Sequence, residues 1–115
     1  MKTQIILFLL AAFPFGAMWG QMAIKLNNPS FEEDGPTAGI VPKGWKNLGA
    51  TDQTPPDIQP GFFGVQTSAQ HGKTFLGLVV RDNNTWEGVG QKLSGFYLEQ
   101  DASYSFSLWL NRSNS

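Results

Sequence analysis

YSFSLWL, residues 104–110, sets Tyr104, Phe106, Leu108 and Leu110 on alternate positions, with Ser105, Ser107 and Trp109 between them. A two-residue period is that of an extended chain, whose side chains point to opposite faces in turn. The segment is therefore expected to be a β-strand with one core face. Its other face carries two small hydroxyl residues beside an indole.

Moving towards the N-terminus, TFLGLVV, residues 74–80, is nearly continuous in apolar and β-branched character. Such a run is expected of a strand buried on both faces. RDNNT reads as a turn. WEGVGQKL follows, with Val89 and Leu93 on one face beside Glu87 and Gln91, and Trp86 on the other with Gly88 and Gly90. A further short strand is expected in MAIKL around Ile24, ended by Asn27, Asn28 and Pro29. From Pro29 to Gly72 the breakers Pro36, Pro42, Gly44, Pro55, Pro56, Pro60, Gly61 and Gly64 leave room only for short extended pieces. A loop-like segment of this length inside a small domain is functional or pinned. It is expected to drape over the sheets, with Trp45, Phe62 and Phe63 as its anchors.

No helical period is found after Gln21, and strands separated by turn clusters predict an all-β fold, an antiparallel β-sandwich. A sandwich needs about seven or eight strands to cover both inner faces, and the sequence offers four to six. The domain is therefore expected to be incomplete at the C-terminus and part of a longer multidomain chain.

Lys2 precedes the apolar run IILFLLAAFPFGAMW, which ends in small residues near Gly20. Residues 1–20 read as a cleaved secretory signal, with the domain at 21–115 and no membrane insertion after cleavage. An uncleaved anchor would need about 20 apolar residues, and Pro14 and Gly16 interrupt the run. The expected location is secreted or at the cell surface. No cysteine is present, which excludes disulfides, thiolate metal sites and a cysteine nucleophile. Past residue 20, seven Lys or Arg face nine Asp or Glu, with no basic stripe to neutralise phosphates, so nucleic acid is not an expected partner.

The residues that carry chemistry point to binding. Glu32, Glu33 and Asp34 are adjacent in a turn, whereas a glycosidase holds two acids about 5 to 9 Å apart across a cleft. His71, the sole histidine, has no nucleophile in a recognisable motif to serve. GVGQK lies inside a strand pattern and fails the context of a phosphate loop. Trp86 and Trp109 both fall opposite the core-pattern residues, and an indole among small polar groups suits a sugar ring, with Arg81, Asp82 and Asn83 as hydrogen-bonding partners. The alternative for each Trp is packing under a loop or against further strands. Gln91, on a face with Val89 and Leu93, is expected to bond to backbone of the long loop.

Taken together, NNPSFEEDG, VPKGW, TPPDIQPGFFGVQ, HGKTFLGLVVRDNNTWEGVGQKL and SYSFSLWLNRS resemble the galactose-binding-like β-sandwich regions of exported surface proteins from Bacteroidetes. More distantly their order is similar to carbohydrate-binding modules of jelly-roll fold. The resemblance covers the mature segment, and its motifs are structural. It implies a jelly roll, export, and a structural Ca²⁺ held by the acid that follows NPSF, here Glu32, with Glu33 and Asp34 as neighbours. A hard cation of this kind takes six to eight oxygen ligands, which loop carbonyls could complete. It also implies a bacterial source, in which the sequons at Asn83 and Asn111 carry little meaning.

The resulting expectation is a non-catalytic, secreted or cell-surface module that binds glycan. The competing reading is a purely structural or adhesion domain of the cell envelope without a small ligand. A third is an enzyme fragment whose active residues lie beyond Ser115.

Overall fold

The computed structural model describes residues 22–50 and 55–113. The expected signal at 1–20 lies outside them. Among the described residues there is no helix, and the regular structure is four short strands: β1 (Lys46–Asn47), β2 (Asp57–Gln59), β3 (Phe75–Gly77) and β4 (Val89–Gly90). All pairing is antiparallel, β1 with β4 and β2 with β3, so the fold is all-β.

The pairings are nested along the chain. Lys46 stands opposite Gly90 and Asn47 opposite Val89, and between them in sequence Asp57, Ile58 and Gln59 stand opposite Gly77, Leu76 and Phe75. The β1–β4 pairing extends slightly past its strands, and a separate bridge closes the hairpin between β3 and β4. Leu48 N–H donates to the Gly88 carbonyl at 2.9 Å, and an isolated bridge joins Val80 to Trp86.

β2 is the centre of the molecule, although it comes from the proline-rich stretch expected to lie outermost. Ile58 exchanges both backbone hydrogen bonds with Thr37, at 2.8 and 2.9 Å, which turns the backbone groups of Asp57 and Gln59 towards β3. Ile58 is completely buried, and Pro42, Pro56 and Thr74 are also fully enclosed. Proline is suited to such a position beside a strand because it has no N–H to leave unpaired. The two polar side chains of β2 are buried and satisfied: Asp57 Oδ1 accepts from Gly39 N–H at 2.8 Å, and Gln59 Oε1 from Phe62 N–H at 3.0 Å.

Several sequence expectations are corrected. Residues 104–110 join no ladder, and their apolar face is in water: Phe106 is 79% exposed, Leu108 53% and Leu110 85%. Alternation identifies the side that a second layer would cover, and among the described residues no such layer covers it. Tyr104 alone finds a partner ring, edge-on to Phe96 at 6.4 Å. Residues 74–80 form a strand only over Phe75–Gly77, all half-buried, and Leu78, Val79 and Val80 are exposed, because β2 is short and its ladder ends at Asp57. MAIKL forms no strand. Phe63 is 68% exposed and anchors nothing, although Phe62 is half-buried against it.

Candidate functional site

Two places on the molecule draw the sequence-predicted residues together. The first is NPSFEE, residues 28–33. Asn28 is its hub. Its amide donates to the carbonyls of Glu32 (3.0 Å) and Lys43 (3.1 Å), and its Oδ1 accepts from Glu32 N–H at 2.8 Å. Its own carbonyl accepts from the indole N–H of Trp45 at 3.0 Å, while the Trp45 ring lies 4.9 Å from that of Phe31. Trp45 is thus the loop anchor that the sequence suggests. Asn28 and Phe31 both have positive φ, 48° and 57°, a conformation that asparagine tolerates better than most residues.

The acids act as clasps. Both oxygens of Glu32 accept from Lys73 N–H at 3.1 Å, and Oε1 also receives Thr74 N–H at 3.4 Å. Successive N–H groups converging on an anion form a backbone nest, here filled by a side chain of the same molecule. Gly72, at φ 75°, makes the turn, and a Cβ there would overlap the Glu32 carboxylate. The Glu33 carboxylate accepts from Lys43 N–H, and its own N–H donates to Thr74 Oγ1 at 2.9 Å. Thr74 in turn donates from Oγ1 to the Phe31 carbonyl at 3.1 Å. Ser30 Oγ and His71 Nδ1 lie 3.1 Å apart at the exposed edge. Asp34 is exposed. Donors on both oxygens of Glu32 fit a hydrogen-bonded clasp better than an ion site, and among the described residues no three His, Cys, Asp or Glu converge.

The second place is the hairpin that enters β4. Trp86 is 57% exposed, and its ring lies across Gly88, where a Cβ would stand 2.9 Å from the indole. Leu48 fills the same role over Gly90, at 2.9 Å. The absence of a Cβ at the two glycines makes room for Trp86 and Leu48, and more than half of Trp86 remains exposed. Beneath, on the opposite face, Glu87 has its side chain 99% enclosed, its exposure being 1%. It pairs with Arg81 at 2.6 Å and accepts from Val79 N–H at 2.8 Å. Arg81 is therefore committed to closing the hairpin, and its second terminal nitrogen, Nη1, is buried.

Asn83 shapes the hairpin loop: its Oδ1 accepts from Thr85 N–H and Oγ1, at 3.1 and 2.5 Å, an Asx turn that positions Asn84 at φ 63°. Asp82 is exposed. Trp109 is 80% exposed and stacks on no ring among the described residues. The structure thus groups Trp86, Arg81, Asp82 and Asn83 in one hairpin and adds Leu48, Gly88 and Glu87, which sequence reading left without a role in binding. The pairing of β1 with β4 brings Leu48 there, a long-range register that periodicity does not reveal.

Gln91 does bond to backbone, but at Asn27, just before the long loop that begins at Pro29. Its side chain accepts from Asn27 N–H at 2.8 Å and donates to the Asn27 carbonyl at 2.9 Å, so that an amide side chain substitutes for a paired strand. No family model, no curated protein and no solved structure matches the chain.

Proposed function

We propose that the chain is a non-catalytic β-sandwich module of jelly-roll type, secreted or displayed at the cell surface, that binds carbohydrate on the Trp86 face. The observation that carries this reading is the exposed indole of Trp86 resting against Gly88. A supported aromatic plane offers an apolar surface to the C–H face of a sugar without first having to order itself. Asp82 and the amide of Asn83 lie close in sequence for hydroxyl contacts. The nested pairing of β1 with β4 around β2 with β3 supports the jelly-roll part, since that fold is a long hairpin wound upon itself. The competing reading, a structural or adhesion domain, is favoured by one feature: Arg81, the strongest donor near Trp86, is taken by Glu87.

Isothermal titration against a panel of soluble polysaccharides distinguishes the two. Trp86→Ala is expected to weaken the best ligand tenfold or more, about 1.4 kcal/mol or more, with the melting temperature nearly unchanged because the ring is half in water. Full affinity in that variant would remove Trp86 from the reading, and no binding across the panel would favour the structural domain. Calcium at Glu32 is the part of the resemblance that the surrounding donors favour least. A chelator is expected to leave the melting temperature unchanged; a fall of several degrees would mean that the folded state binds the ion.

A further inference from the structure

The face that carries Trp86 does not end at Leu48. Side-chain alternation places Gly88 and Gly90 on it, and Lys46, opposite Gly90, projects from the same face of the two-stranded sheet. Lys46 also lines a cleft of about 250 Å³ at the end of this sheet, together with Lys25 and Lys92, and with Asn27, Gln91, Leu93 and Ser94 in its wall. No carboxylate lines it. The three lysines are exposed, and the ion pair formed among the described residues, Arg81 with Glu87, involves none of them. The wall is fixed by the double hydrogen bond between Gln91 and Asn27, and Gly44, at φ 87°, keeps it open: a Cβ there would come within 2.7 Å of the Asn27 amide. Three lysines with no carboxylate beside them give the cleft a cationic rim, which favours an anionic ligand.

We propose that this cleft receives the carboxylate or sulfate substituent of an acidic polysaccharide, a more distant sugar of which lies on Trp86. The inference rests on the carbohydrate reading above and narrows it to an anionic polymer. Six residues of extended chain separate Trp86 from Lys92, roughly 20 Å, which a single sugar ring cannot bridge. The ligand is therefore an oligomer, with a ring on the indole and its charge at the lysine end. Leu48, seated over Gly90, gives the stretch between them an apolar floor.

The test is an amide and indole NMR titration of the whole protein with three probes of equal length: an oligouronate, a sulfated galactan oligomer and the unsulfated galactan. The acidic probes are expected to shift the backbone amides of Gly44, Lys46, Gln91 and Lys92 together with the Trp86 indole N–H, and the neutral one to shift the indole alone. Which acidic probe moves the amides at lower concentration identifies the substituent. Changing Lys25, Lys46 and Lys92 to Gln together should weaken the acidic probe about tenfold or more, leave the neutral probe unaffected and remove most of the salt dependence. Because these side chains are exposed, the variant is expected to fold. Unmoved cleft amides with every acidic probe, or unchanged affinity in the triple variant, would overturn the proposal. If the cleft responds and the indole does not, the anion site stands and the stacking role of Trp86 fails; the reverse result retains Trp86 and discards the cleft.

Discussion

Gly72→Ala is expected to lower the unfolding free energy by about 3 kcal/mol or more, from two separable causes. The first is conformational: a left-handed φ of 75° costs a residue with a Cβ about 1 to 2 kcal/mol. The second is steric, because the new methyl overlaps the Glu32 carboxylate and must expel it from the nest of Lys73 and Thr74 N–H groups. Hydrogen bonds to a charged acceptor contribute about 1.5 to 3 kcal/mol, and Thr74 has little access to water as a replacement partner, being 1% exposed. A double-mutant cycle with Glu32→Ala, followed by urea unfolding, separates the causes. The conformational part should persist in the double variant and the steric part should vanish, so the two changes should be less than additive. Strict additivity would show that Gly72 and Glu32 do not meet in solution.

Asn28→Asp should be at least as damaging as Asn28→Ala, although it preserves the shape of the side chain. The amide donates to two carbonyls, those of Glu32 and Lys43, and an aspartate would aim a charged oxygen at both. Alanine leaves the part-buried Glu32 carbonyl unpaired, at about 1 to 3 kcal/mol, while water can replace the amide at the exposed Lys43 carbonyl, and it forfeits the preference of asparagine for φ 48°. Against a typical total of about 5 to 15 kcal/mol, a loss near 3 kcal/mol is a large fraction, readable as a displaced urea midpoint. An aspartate variant as stable as the natural protein would show that the amide does not hold these carbonyls.

The local chemistry was legible in the sequence, and the long-range partners were not. That Gly88 and Gly90 share the face of Trp86 follows from strand alternation alone, and the bonding of Gln91 to backbone follows from a polar group on an apolar face. The direction in which a strand finds its cover is different. Tyr104–Leu110 has the most regular alternation in the chain and yet is exposed, whereas Asp57–Gln59, flanked by prolines and carrying an acid and an amide, is the most enclosed strand. Periodicity reports which side chains share a face; burial depends on what arrives opposite that face. For β2 that includes Thr37, whose pairing with Ile58 no local pattern signals. The clasping acids were equally hidden. Three carboxyl side chains in a turn look hydrated until the backbone of Lys43, Lys73 and Thr74 comes to Glu32 and Glu33 from ten or more residues away.

The nesting of one strand pair inside the other also bears on how quickly the chain can find its shape. Closing a flexible loop costs entropy that rises with its length, and the segment between Gln59 and Phe75 is far shorter than that between Asn47 and Val89. Once the inner strands have met, the outer ones search across a span already shortened by that hairpin, so the more distant encounter inherits most of its ordering from the nearer one.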